Sequence, residues 1–250
     1  MSNFLSILDK NDNNALVKIR DFVVNKIKVE VPSFGNELSS LHKFIDVKEV
    51  NDLRLKIFSY INSELKWENL ILEICENELN NKHGRDLLVQ SKINLSIQMP
   101  NDQTSILPIH TDSSSADSPF QTNIWIPLTD AFETNSMFIL DEKQTIDFAN
   151  SVATNNIDEF HASNFQIREE DFIKINFGQI LFFNPSILHG NVLNETNKTR
   201  VSLNLRIKSM FSPEPDFRNA DRKFGTYYKI LSLSEETRFA LDFLNSGYLK

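Results

Sequence analysis

The feature that most constrains the fold is a series of short segments in which apolar and polar residues alternate. They read LLVQSKINLSIQM, NIWIPL (123–128), SMFIL (136–140), FIKINF (172–177), QILFFN (179–184) and RVSLNLRIKSMF (200–211), and short turn-forming segments separate several of them. Alternation with a period of two is typical of strands that bury one face. So many short strands in succession predict an antiparallel barrel or sandwich over residues 86–211.

The flanks of this region have helical periodicity instead. Helices are predicted over Asn14–Glu30 and residues 47–65, and a third ends at a Gly84 C-cap. Cys75 lies on the apolar stripe of the third helix, which favours a buried core residue over a catalytic thiol. Ser232 and Glu235 have capping-box spacing and predict the start of a C-terminal helix.

We therefore predict a single domain over residues 1–250, with a helical part at 1–85, a β core at 86–211 and a helical part at 212–250. The polar stretch 148–171 is either a loop packed over the functional site or a surface excursion.

Charge and composition exclude several classes of function. The net charge is −8 with no basic face, so nucleic acid is not an expected partner. The start MSNFLSILDK does not resemble a signal peptide, no apolar run approaches membrane-spanning length, and the chain has one cysteine. We expect a cytoplasmic protein without a membrane partner; the oligomeric state is not predictable from these features.

Two histidines are placed for metal chemistry. In an extended chain, His110 and Asp112 of the triplet His110-Thr111-Asp112 would face the same side, and His189 follows a predicted strand. Antiparallel strands can bring these positions together, and two histidines with one carboxylate form the facial triad of non-haem iron sites. The remaining histidines are expected to be surface or capping residues: His42, His83 and His161.

An arginine follows the second histidine by eleven residues. Arg200 begins an alternating strand, on which Ser202 faces the same side. A guanidinium binds a carboxylate through two parallel hydrogen bonds, which lysine does not reproduce. Taken without the two histidines, Arg200 would be interpreted as part of an ion pair within the sheet. Together with the predicted triad, Arg200 is better interpreted as binding an anionic cosubstrate. Arg206, on the same strand face, is the alternative arginine.

These motifs together resemble the Fe(II)/2-oxoglutarate-dependent oxygenases, in particular the phytanoyl-CoA-hydroxylase-like branch. The matching segments are His110-Thr111-Asp112, WIPL (125–128), GQILFF (178–183), LHGN (188–191) and Arg200-Val201-Ser202. More narrowly, the run from Leu95 to Asp130 resembles oxygenases of carbohydrate and aminoglycoside biosynthesis clusters. The resemblance covers about residues 90–210 and implies a mostly β fold with flanking helices and a double-stranded β-helix (jelly-roll, cupin-like) core.

The resemblance also implies roles for single residues. His110, Asp112 and His189 would bind Fe(II), and Arg200 would bind the far carboxylate of 2-oxoglutarate. The remaining positions would contact or support this cosubstrate: Trp125, Asn191, Ser202 and Gln98. The chain departs from the branch at residues 135–141, where a Gly-rich segment is usual, so substrate residues cannot be transferred.

The implied activity is oxidation, usually hydroxylation, of a small molecule with Fe(II), 2-oxoglutarate and O2. A sugar-bearing substrate is expected from the narrower resemblance and from short polar residues near the triad, among them Ser113, Ser114, Gln121 and Asn123. Two alternatives remain open: a cupin-like metalloenzyme that does not use 2-oxoglutarate, and a non-catalytic carbohydrate-binding β-sandwich.

Overall fold

Three helices form a layer over one face of a sheet. The computed structural model describes residues 4–11, 13–115, 117–154, 166–213 and 222–246. In it, α1 covers Asn14–Glu30, α2 covers Val50–Glu64 and α3 covers Trp67–His83. Gly84, at φ 81°, ends α3 by donating its N–H to the Asn80 carbonyl. The predicted helices and C-cap are confirmed. Cys75 lies in the core as predicted, and its burial raises the pKa of the thiol to about 12.

The described residues form nine strands, all paired antiparallel. They are β1 Leu5–Asp9, β2 Leu87–Gln90, β3 Asn94–Gln98, β4 Thr122–Pro127, β5 Phe138–Ile139, β6 Gln179–Phe183, β7 His189–Gly190, β8 Arg200–Ser209 and β9 Tyr228–Ser232. The major sheet has the order β1-β6-β4-β8-β2-β9, with β3 also on β8, and β5 pairs with β7 in a minor sheet. The mostly β architecture with flanking helices is confirmed.

The central strand β8 divides its side chains between two environments. Val201, Leu203, Leu205 and Ile207 belong to the core cluster that includes the residues of α1, α2 and α3. Burial of each such side chain stabilises the fold by about 1.5–3 kcal/mol. Since side chains alternate along a strand, the even-numbered residues from 200 to 206 lie on the opposite face. That face carries polar groups, and the candidate site is built on it.

One predicted strand is absent, and two observed strands were not predicted. FIKINF (172–177) is not a strand, because Phe172 and Ile175 make only isolated bridges, to Phe138 and Ala131. β1 and β9 lie in the parts predicted to be helical; they pair with β6 and β2, far away in sequence.

The C-terminal helix begins later than its spacing indicated. Ser234, not Ser232, is the N-cap of α5 (Glu235–Asn245), because its side chain accepts the Thr237 N–H while Ser232 ends β9. Of the stretch 148–171, the first part lies in α4 (Glu142–Thr154), and residues 155–165, with His161, lie outside the described residues. None of the described helices combines the length and apolarity needed to cross a bilayer.

Candidate metal and cosubstrate site

His110 and His189 face each other across an antiparallel bridge. Each backbone N–H donates to the carbonyl of the other at 2.9 Å, and the ring centroids are 4.3 Å apart. Asp112 does not continue the extended chain as predicted; it begins a 3₁₀ turn, Asp112–Ser115. Its Oδ1 nevertheless lies 3.6 Å from His110 Nε2 and 4.0 Å from His189 Nε2. One ligand atom from each residue therefore lies within 4.8 Å of the others.

Backbone carbonyls orient both imidazoles. His110 Nδ1 lies 2.7 Å from the Pro108 carbonyl, and His189 Nδ1 lies 2.8 Å from the Ile187 carbonyl. A carbonyl only accepts, so Nδ1 carries the proton and the Nε2 lone pair of a neutral ring is free for a metal. Burial lowers the pKa of His189 to about 4, which keeps this ring neutral near pH 7. Both histidines thus have the tautomer that a metal ligand requires.

Asp112 is anchored through one oxygen and open at the other. Oδ2 accepts from Asn123 Nδ2 at 2.7 Å and from Arg206 at 2.9 Å, while Oδ1 points toward the histidines. Burial by itself would raise the pKa of Asp112, but contacts with His110 and Arg206 hold it well below its ordinary value. The carboxylate is therefore ionised. Two imidazole nitrogens and one carboxylate oxygen suit a first-row divalent metal with open coordination positions.

The support of Asp112 was missed by the sequence analysis. Arg206 also lies 2.6 Å from Asp117 Oδ2, and Gln121 donates to Asn123 at 2.9 Å. Gln121 and Asn123, predicted to offer polar contacts to a sugar, are 3% and 0% exposed and instead hold the carboxylate. The register of the two strands identifies the contact, because Asn123 on β4 is paired with Arg206 on β8.

Two predicted substrate-facing serines are also engaged internally. Ser113 Oγ lies 2.8 Å from Ser186 Oγ, and Ser114 donates to the Thr111 carbonyl at 2.6 Å. The polar residues after the metal triplet therefore shape the turn and are not evidence for a sugar ligand.

Arg200 is a buried cation surrounded by neutral partners. Its Nε and Nη2 donate to Gln98 Oε1 at 3.2 and 3.0 Å, and Nη1 donates to Ser202 Oγ at 3.0 Å. The guanidinium lies 5.6 Å from the Trp125 ring centroid. Within the described ranges no carboxylate lies at ion-pair distance from Arg200, although the residue is only 4% exposed. Because a buried charge without a counter-ion is costly, this environment fits an anionic ligand.

The structure brings Gln98, Ser202 and Trp125 together around Arg200, as the predicted site requires. Asn191 has other partners: its Oδ1 accepts the Leu107 N–H, and its Nδ2 donates to the Ser105 carbonyl at 3.0 Å. The amide retains a second N–H and a second oxygen lone pair, so these bonds do not exclude a cosubstrate contact. Arg206, the alternative arginine, already lies between two carboxylates.

Two of the described histidines lie outside the site, and both behave as structural residues. His42 Nδ1 lies 2.9 Å from Thr199 Oγ1, and His83 Nε2 lies 2.8 Å from Thr122 Oγ1. Burial lowers the pKa of His83 to about 4. Each ring joins a helical segment to a neighbouring part of the β core.

A comparison with models of known protein families found no match. The streptomycin biosynthesis protein StrG of Streptomyces griseus is 26% identical over 119 residues, which are 47% of this chain and 43% of StrG. The chain thus matches less than half the length of that relative.

Solved structures are similar over nearly the whole chain. HygX from Streptomyces hygroscopicus, with nickel and 2-oxoglutarate bound, has a TM-score of 0.51 at 10% identity and is covered over 93% of its length by 91% of this chain. The non-haem α-ketoglutarate-dependent epimerase SnoN from nogalamycin biosynthesis has a TM-score of 0.48 at 10% identity, with 93% of each chain covered. The likeness to HygX establishes the fold, and the predicted jelly-roll core is confirmed.

Proposed function

We propose that this chain, which has the fold of the Fe(II)/2-oxoglutarate-dependent oxygenases, is such an oxygenase acting on a small molecule. His110, Asp112 and His189 would bind the metal, and Arg200 would bind the far carboxylate of 2-oxoglutarate. The observation that carries the proposal is the buried Arg200 guanidinium, which has only neutral hydrogen-bond partners among the described residues.

The residues of the site fit both Fe(II) and 2-oxoglutarate. The triad offers two imidazole Nε2 atoms and one anchored carboxylate. Beyond Arg200, Asn204 Oδ1 on the same strand face is buried without a hydrogen-bond partner among the described residues. A buried polar atom in this state is costly unless a ligand or water meets it. The polar face of β8 is therefore suited to a polar ligand.

When bound, Fe(II) and 2-oxoglutarate would activate O2 to oxidise the substrate, with succinate and CO2 as co-products. The chain's own contribution is geometry. Gln98 and Ser202 accept hydrogen bonds from Arg200 and hold its guanidinium in one orientation. Because Ser202 accepts in this bond, its hydroxyl hydrogen can be donated to a carboxylate oxygen of the cosubstrate. The centroids of the Phe183 and His189 rings are 4.9 Å apart, so Phe183 gives this histidine an apolar neighbour.

The alternatives leave observations unexplained. A metalloenzyme that does not use 2-oxoglutarate has no need for a buried arginine whose described hydrogen-bond partners are all neutral. A carbohydrate-binding sandwich has no need for three oriented metal ligands. Within the oxygenase proposal, a sugar-bearing substrate is supported by the sequence likeness to StrG, a streptomycin biosynthesis protein.

The test is metal-dependent consumption of 2-oxoglutarate. Anaerobic addition of Fe(II) and 2-oxoglutarate should produce a visible charge-transfer absorption, and admission of O2 with a substrate should release succinate. The substrate panel would contain nucleotide sugars, aminoglycoside precursors, free amino acids and acyl-CoAs. Absence of both the absorption and succinate would contradict the oxygenase assignment. Stimulation by an acyl-CoA or amino acid, with none by a sugar, would contradict only the substrate class.

A further inference from the structure

A second cavity lies at the Asp112 side of the triad, away from Arg200. It has a volume of about 440 Å³, and its lining includes Lys92, Asn94, Arg206, Arg222 and Tyr227. Arg206 joins it to the metal site, because the same guanidinium lies 2.9 Å from Asp112 Oδ2. Arg200 and Arg206 are six residues apart on one strand, or roughly 20 Å. The cavity and the cosubstrate arginine therefore lie at different ends of the same sheet face.

The cavity has an excess of positive charge. Lys92, Arg206 and Arg222 line it, and no acidic residue does so in the part of the chain that the structure describes. Asp117 lies beneath the lining at 1% exposure, 2.6 Å from Arg206 and 2.5 Å from Arg222. Asp112 is assigned to the metal. Because Asp112 also contacts Arg206, three cations against two carboxylates leave one positive charge before a metal binds, in a chain whose net charge is −8.

The cationic groups are held in place before any ligand arrives. Arg206 donates to Gln90 Oε1 at 3.1 Å, and Arg222 stacks 4.3 Å from the Tyr227 ring centroid while it contacts Asp117. Asn94 is the paired partner of Asn204, the residue with the unpartnered amide oxygen. Preorganised guanidinium groups with neutral hydrogen-bonding neighbours are a typical environment for phosphate oxygens.

The cavity beside the minor sheet has a different character. It has a volume of about 750 Å³, and charged residues around it pair with each other: Lys143 with Asp147 at 2.7 Å, and Arg168 with Asp171 at 2.8 Å. Five acidic and two basic side chains line it, so its excess charge is negative and disfavours a phosphate group.

From this arrangement we infer that the cavity lined by Lys92, Arg206 and Arg222 binds a phosphate or diphosphate group of the substrate. The inference rests on the proposed function, because it takes Asp112 as a metal ligand and the metal as the reacting centre. Within that function it narrows the substrate to a phosphate-bearing small molecule, with the carbon to be oxidised lying on the metal side of Arg206.

Calorimetric titration tests this assignment without turnover. The full chain is loaded anaerobically with Mn(II) and 2-oxoglutarate and titrated with inorganic pyrophosphate, UDP-glucose and glucose. Pyrophosphate and UDP-glucose should bind, and glucose should not. Arg222→Gln and Lys92→Gln should each weaken binding about tenfold or more, since each removes a charge-assisted hydrogen bond. Arg238→Gln, an exposed arginine on α5 that does not line the cavity, is the matched control and should bind like the wild type.

The outcomes separate this inference from the proposed function. Wild-type protein that binds Mn(II) and 2-oxoglutarate but no phosphate probe overturns the inference alone. Equal binding by wild type, Arg222→Gln and Lys92→Gln also overturns it, because the phosphate would then bind elsewhere, for instance on the metal. Failure to bind 2-oxoglutarate contradicts the proposed function instead. Variant-sensitive binding of both probes supports a sugar nucleotide; variant-sensitive binding of pyrophosphate alone supports the phosphate pocket with a smaller substrate.

Discussion

Replacement of Arg200 by Met should weaken cosubstrate binding about tenfold or more at a small cost in stability. Arg206→Met should leave the cosubstrate affinity near that of the wild type and cost more stability. Arg200 has neutral partners, so its removal leaves Gln98 Oε1 without donors, a cost of about 1–3 kcal/mol, but also removes a buried charge. Arg206 lies between Asp112 and Asp117, and its removal leaves two buried carboxylates without their cation. Loss of one partner of a buried pair costs about 3–5 kcal/mol.

The effect on 2-oxoglutarate follows from the bond that is lost. A hydrogen bond to a charged group contributes about 1.5–3 kcal/mol, which corresponds to roughly 10- to 150-fold in affinity. Arg200→Met should therefore raise the Kd for 2-oxoglutarate at least tenfold. Arg200→Lys should recover only part of this loss, because an ammonium group does not form the two parallel bonds of the guanidinium.

Two measurements on the same variants decide the matter. Anaerobic calorimetry of the Mn(II)-loaded protein gives the Kd for 2-oxoglutarate, and urea denaturation of the metal-free protein gives the free energy of unfolding. A tenfold weaker Kd in Arg206→Met, with wild-type affinity in Arg200→Met, would show that the wrong arginine was assigned. A free energy of unfolding that falls more in Arg200→Met than in Arg206→Met would contradict the charge argument.

The His189→Ala variant should lose Fe(II) on dialysis. If the variant retains as much Fe(II) as the wild-type protein, His189 is not a ligand. Asn123→Leu removes one of the two anchors of Asp112 and should weaken metal binding about tenfold, which metal competition with a chromogenic chelator would measure. If Asp112 binds the metal as proposed, it occupies the coordination position that a halide would need, so turnover with chloride present should give no chlorinated product by mass spectrometry. The pKa of partly buried His83 is lowered from 6.5 to about 4, so protonation of this ring opposes folding. Stability should therefore fall as the pH drops from about 6.5 to 4, and urea titrations should show a shallower fall in His83→Gln.

Local patterns predicted the elements whose signal lies within one segment. The alternation in β8 and the four-residue spacing in α1, α2 and α3 report on burial directly, so these elements were recognisable. The short strand β1 was not, because its five residues acquire their environment from β6, about 170 residues later. FIKINF alternates like a strand, but its partners at Phe138 and Ala131 provide only isolated bridges.

The residues that meet in the candidate site were predictable by residue type, and their surroundings were not. His110, Asp112, His189 and Arg200 carry chemistry that spacing makes visible. The contact of Asn123 with Asp112 depends on the register of β4 against β8, which a linear sequence does not contain. The same limit explains why buried polar residues after the triplet were interpreted as a substrate surface.

The position of β8 in the major sheet has a consequence for biosynthesis. β2, β3 and β4 all pair with β8, and none of the three pairs with another of them. About a hundred residues separate the end of β3 from the start of β8, which corresponds to about 5–20 s of translation at 5–20 residues per second. During that interval these strands on a nascent chain lack the neighbour that satisfies their backbone groups. We expect chaperones to bind the nascent chain during this interval. We also expect chains that stop before residue 200 to aggregate or be degraded, and not to accumulate as partly folded protein.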